Sequence, residues 1–85
     1  MAIDILYFAW VREAIGRDGE RVEPPAGVRD VAGLIAWLAG TSAAHAAALA
    51  EPERLRAAID QRFVAFDAAI QGAREVALFP PVTGG

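Results

Sequence analysis

The chain has no cysteine, no lysine and a single histidine among its 85 residues. Without cysteine there are no disulfides, no thiolate metal site and no thiol nucleophile, which agrees with a reducing compartment. All eight basic residues are arginine, so there is no ε-amine for a Schiff base and no internal acceptor for an isopeptide bond. No apolar run approaches the roughly 18 residues that would cross a bilayer. The opening Met1-Ala2-Ile3-Asp4 shows no basic stretch followed by an apolar one, so no signal peptide is expected. A cytoplasmic location, with no membrane contact, is the expectation. A net charge of −3 and a pI near 4.9 argue against nucleic acid as a partner.

Chemistry-bearing side chains are as scarce as these absences imply. His45 lies among alanines, where a surface or packing role fits better than catalysis. Glu51 and Glu53 flank Pro52 as solvated charge. Asp60 and Asp67 read as turn formers, because Asp competes for local backbone hydrogen bonds. No Ser-His-Asp set, phosphate-cradling glycine loop or metal-ligand spacing is visible, and no metal or bound cofactor is expected. Trp10 and Trp37 are expected in the core or half-buried. Any part this chain takes in catalysis therefore falls to its C-terminus.

What is present is a folded domain: hydrophobic residues make up 55% of the chain, too many for disorder. Residues 2–9 read as a strand with Ile3, Ile5 and Tyr7 on one face and Leu6 and Phe8 on the other. A short helix over 10–15 stops at Gly16, and a weak strand over 20–23 returns as a hairpin. Pro24-Pro25-Ala26-Gly27 is a loop. Asp30 caps a helix over 31–39 whose stripe Val31, Leu34, Ile35 and Leu38 faces the core. Thr41 or Ser42 caps an Ala-rich helix over 43–50, ended by Pro52. Strands follow over 55–60 and 63–66, then a turn-rich connection over 67–74. The last strand, 75–79, turns Val76 and Leu78 inward.

The first and last strands are among the most apolar, so they are expected to pair with each other, in parallel, at the centre of the sheet rather than on its edges. One main helix is left to cover one face of a small mixed sheet. The expected class is α+β with a β-grasp arrangement over residues 1–79, followed by a flexible tail over 80–85.

That tail is Pro80-Pro81-Val82-Thr83-Gly84-Gly85. Glycine lacks Cβ and can thread a narrow channel. The prolines fix φ and favour an extended stalk that holds the Gly85 carboxylate away from the body. A chain end built this way looks like a substrate for another enzyme.

The stretch Glu75-Val76-Ala77-Leu78-Phe79-Pro80-Pro81-Val82-Thr83-Gly84-Gly85 resembles the end of the small, sulfur-carrier subunit family of molybdopterin synthase, ubiquitin-like β-grasp proteins. Leu6-Tyr7-Phe8-Ala9-Trp10-Val11-Arg12-Glu13 is similar to that family's strand into short helix. Ala57-Ala58-Ile59-Asp60-Gln61-Arg62-Phe63-Val64 resembles its middle hairpin. The loop Gly72-Ala73-Arg74-Glu75-Val76 departs from the family's Asp-Gly-Asp-Glu-Val, which puts local turn geometry in doubt.

The resemblance implies a two-stage role without catalytic side chains. An adenylating enzyme related to those that charge ubiquitin uses ATP to activate the Gly85 carboxylate, and a sulfur donor converts it to a thiocarboxylate. The tail residues Pro80, Pro81, Val82, Thr83 and Gly84 then thread into the large subunit of a heterotetrameric synthase, where sulfur passes to cyclic pyranopterin phosphate. Docking needs a folded patch as well. Alternation turns Phe8 and Phe79 away from the core, and Phe63 either completes a three-Phe patch or joins the core. Arg12 and Arg62 are then either rim charges for an acidic partner or ordinary solvated residues. Two rival roles share the fold and the diglycine end: a thiamine-pathway sulfur carrier and a ubiquitin-like protein modifier. A plain interaction module with an inert tail is a third.

Overall fold

Alternation and helical periodicity dictate most of the architecture seen in the computed structural model, which describes residues 1–81. The elements run β1 (Ile3–Tyr7), α1 (Ala9–Ile15), β2 (Gly19–Val22), α2 (Val31–Ala39), α3 (Ala43–Ala48), a 3₁₀ turn (Pro52–Arg54), β3 (Arg56–Ile59), β4 (Arg62–Val64) and β5 (Glu75–Phe79). The strands form one mixed sheet in the order β2-β1-β5-β3-β4. As expected, β1 and β5 are central and parallel, with Ile5 opposite Val76 and Tyr7 opposite Leu78. The other pairings are antiparallel. This is the α+β, ubiquitin-like β-grasp arrangement.

The core lies between the sheet and the helices. Ile3, Ile5 and Tyr7 from β1 and Val76 and Leu78 from β5 are fully or almost fully buried there, against Val31, Leu34, Ile35 and Leu38 of α2. Asp30 caps α2 through its Oδ1, which accepts from the Gly33 N–H at 2.7 Å. Ser42 caps α3 by accepting from the His45 N–H at 3.1 Å. Gly16 ends α1 in the left-handed region at φ 91°, a conformation that costs glycine nothing. Trp10 and Trp37 are half-buried against the core.

Most element boundaries differ from the sequence reading by one or two residues, and those of β4 and α3 have a structural reason. The strand expected over 63–66 begins at Arg62 and ends at Val64. Asp60 and Gln61 form a two-residue turn with positive φ (48° and 71°), as in a type I′ hairpin, so Ile59 faces Arg62 directly. Beyond Val64 the chain leaves the sheet, because the Phe66 and Ala68 carbonyls accept from the Ala32 and Val31 N–H groups of α2. α3 stops at Ala48 with Leu49 as its C-cap, and the 3₁₀ turn with Pro52 in its first position was not anticipated.

The loop that departs from the family's pattern closes without difficulty. Gly72 takes φ +81°, Ala73 is buried, and the Ala73 N–H bonds the Ile70 carbonyl at 3.0 Å. Asp60 does more than form a turn, since its Oδ1 accepts from the Arg74 and Glu75 N–H groups at 3.1 and 3.0 Å. It fastens the start of β5 to the β3–β4 hairpin.

Candidate partner-binding face

Residues of alternate parity in the same strands make the face opposite the helices. Cross-strand partners share a face in a pleated sheet, and the registers place Gly19, Leu6, Ala77, Ala58 and Phe63 in one row across all five strands. Toward the end of β5 the next positions are Phe8, Phe79 and Arg56, with Arg56 directly opposite Phe79. Phe8 is 46% exposed and Phe63 79% exposed. The Phe63 and Phe79 rings lie 5.5 Å apart with a 40° tilt, within the range of favourable aromatic pairs. A shallow apolar depression floored by Leu6, Ala58 and Ala77 joins all three rings. Phe63 is therefore not core, and the three phenylalanines share one open face.

The structure separates the two expected rim arginines. Arg12 is exposed on α1, and its N–H bonds the Phe8 carbonyl at 3.4 Å, one turn beyond that ring. Arg62 is exposed too, but it alternates with Phe63 and so belongs to the opposite side of β4. The arginine that stands beside the aromatic pair is Arg56, which sequence spacing did not single out; it lines a small groove with Phe63 and Phe79. Only strand register could have revealed it.

At the opposite end of this face the charges satisfy one another. Arg21 Nη1 meets Asp4 Oδ1 at 3.1 Å, and Asp60 is held by the backbone bonds described above. At the tail end β5 runs directly into Pro80, half-buried, and Pro81, exposed. The expected threading residues Val82, Thr83 and Gly84 and the reactive Gly85 lie outside the described residues, as does most of the expected 80–85 segment. Among the described residues no cluster of His, Asp or Glu could hold a metal ion, and no helix is long and apolar enough to cross a membrane.

Of the surface and packing roles expected for His45, the structure shows packing, with the residue buried at 6% exposure. Its Nε2 lies 2.6 Å from Glu20 Oε2, and its Nδ1 lies 2.6 Å from Ser42 Oγ. Tyr7 donates its hydroxyl to the same Glu20 oxygen at 2.6 Å. No Ser-His-acid set was visible in the sequence, yet folding assembles one from residues on α3 and β2. Its serine is committed as the α3 cap and its carboxylate is shared with Tyr7, so it braces α3 to the sheet. Burial would raise the Glu20 carboxyl, but hydrogen bonds from Tyr7 and His45, with the charges of His45 and Arg17, outweigh that and hold it below its ordinary value. The Tyr7 hydroxyl is pushed well up by burial and then by Glu20.

The sequence profile of the ThiS family matches residues 5–85. The chain is 43% identical over 83 residues to the molybdopterin synthase sulfur carrier subunit of Escherichia coli, covering 98% of this chain and 99% of that one. Its fold superposes on a Pyrococcus furiosus protein described as molybdopterin converting factor subunit 1 with a TM-score of 0.75 at 27% identity, covering 96% and 99% of the two chains. It superposes on Haloferax volcanii SAMP1, a small archaeal modifier protein, with a TM-score of 0.74 at 26% identity over 100% of both chains.

Proposed function

The chain belongs to the ThiS family, alongside molybdopterin synthase sulfur carrier subunits, and from that premise we propose that it carries sulfur on the Gly85 carboxylate for molybdenum cofactor biosynthesis. An adenylating enzyme joins the carboxylate to the α-phosphate of ATP and releases pyrophosphate. Hydrosulfide, the sulfide-level donor, attacks the acyl carbon, the C–S bond forms as the C–O bond to AMP breaks, and loss of the S–H proton leaves a thiocarboxylate. Oxygen bound to carbon is a poor leaving group until adenylated, and the thiocarboxylate sulfur is the softer, better nucleophile. It is delivered to cyclic pyranopterin phosphate in the active site of the large synthase subunit.

The observation that carries this reading is continuity. A single strand, β5, supplies Phe79 to the open aromatic face and is followed directly by Pro80 and Pro81, with Val82-Thr83-Gly84-Gly85 next in the sequence. Ordering six tail residues costs on the order of 1–2 kcal/mol each in backbone entropy, part of which the prolines have already removed. Phe8, Phe63 and Phe79, with Arg12 as an outer charge, supply the folded contact that offsets the remainder. The family match extending to residue 85 supports placing the chemistry there. Deleting Gly85, or adding one residue after it, is expected to abolish sulfur transfer and leave the melting temperature unchanged. Full activity in either variant would remove the proposal.

The likeness to SAMP1 favours one second reading, a protein modifier joined to amines of other proteins. The two readings diverge in products: a thiocarboxylate on the free chain, or conjugates of higher mass on targets.

A further inference from the structure

We infer that Arg56 is a docking charge for a carboxylate on the partner protein, seated in the groove walled by Phe63 and Phe79. The inference rests on the reading of the aromatic face as a partner surface. Arg56 is exposed, yet its guanidinium is not loose. Nη1 donates to the Leu55 carbonyl at 2.7 Å and to the Glu53 carbonyl at 3.3 Å. Those bonds occupy one nitrogen and leave the rest of the planar fork to a second acceptor, a geometry suited to bidentate carboxylate.

Charge distribution says which occupant fits. Among the described residues Arg17, Arg21 and Arg54 each have a carboxylate partner; Arg12, Arg29, Arg56, Arg62 and Arg74 have none, and of these Arg56 is the one that lines the groove with Phe63 and Phe79. The far end of the same face has already matched Asp4 with Arg21 and Asp60 with two N–H groups. The tail end thus presents a positioned cation beside the Phe63–Phe79 pair, of which Phe63 is exposed and Phe79 half-buried, at the base of the segment that enters the partner. An arginine flanked by aromatics is the composition of an interface anchor. Its complement is an Asp or Glu side chain with an apolar neighbour that covers the rings.

The test uses the full chain titrated calorimetrically with the large subunit of molybdopterin synthase. Arg56→Glu should weaken binding by on the order of tenfold or more, while Arg62→Glu, the same charge change on the other side of the sheet, should cost under about threefold. The gap should narrow as salt rises. Replacing the matching Asp or Glu of the large subunit by Arg should restore binding of the Arg56→Glu chain. Equal losses from Arg56→Glu and Arg62→Glu would reduce the effect to net charge and overturn the inference. Arg56→Gln, with its melting temperature measured alongside, guards against misfolding, and unaltered affinity in that folded variant also overturns it. If Phe79→Ala weakens binding while the Arg56 variants do not, the aromatic face stands and Arg56 falls; if Phe79→Ala binds normally, the face itself falls. Chemical-shift changes confined to Arg56 on adding inorganic phosphate, or self-association of the free chain that Arg56→Glu removes, would assign the groove to an anion or a second copy instead.

Discussion

The two faces of the sheet are built from the same strands and differ in nearly everything else. On the helix side, Ile3, Ile5, Tyr7, Val76 and Leu78 are closed off by α1, α2 and α3. On the other, Leu6, Phe8, Ala77 and Phe79 interleave with them residue by residue and lie outside that core cluster. A strand's period of two thus sorts stability onto one face and recognition onto the other. Neighbouring residues such as Leu78 and Phe79 should therefore fail in different assays.

The largest expected effect breaks the inner face. Leu78→Ala, at a site with 0% exposure, should destabilise the domain by about 2–5 kcal/mol, a large fraction of the total for a domain of this size. Denaturant melts would show it. On the outer face, Phe79→Ala should weaken binding to the large subunit by roughly 2 kcal/mol or more. It should lower stability by only about 1 kcal/mol, the contact with Phe63 being the main loss. An unfolded Phe79→Ala chain would mean that the two faces are assigned one residue out of register.

Acid and base should act on the inner face through Glu20 and Tyr7. The Glu20 carboxyl is held below its unfolded value, so its contribution is present above about pH 4.5 and is lost as pH falls through the folded value. Tyr7 titrates higher in the folded chain, so the unfolded state gains by ionising above about pH 10 and stability falls there. Glu20→Gln should flatten the acid limb and cost about 1–3 kcal/mol near neutrality. Melting temperatures across pH in both chains would decide it, and an identical acid limb in the variant would count against the brace. A smaller gain is expected where strain sits beside the outer face. Gln61 has φ 71°, so Gln61→Gly should stabilise the hairpin by about 0.5–1 kcal/mol with partner affinity retained.

Most of the fold was legible because burial on one side imposes a period. The alternation in residues 3–7 and the stripe Val31, Leu34, Ile35 and Leu38 each named their buried residues correctly. The central parallel pairing followed from the apolarity of the first and last strands. The end of β4 was not legible, since Phe66 leaves the sheet to satisfy N–H groups of a helix more than 30 residues earlier. The Tyr7–Glu20–His45 brace and the placing of Arg56 beside Phe79 were hidden for the same reason. Both depend on how distant segments register, and charge spacing along one strand carries no trace of that. The outward parity of Phe8 and Phe79 was readable from alternation, whereas the side taken by Phe63, left open between face and core, and by the arginines was not.

The central claim is chemical and concerns one carbon atom. The full chain, incubated with its adenylating enzyme, ATP and a sulfur source, is followed by intact mass spectrometry. A gain of about 16 Da confined to the fragment bearing Gly85, from oxygen replaced by sulfur, is the predicted result. A chain that keeps its mass while higher-mass conjugates accumulate on other proteins would contradict it.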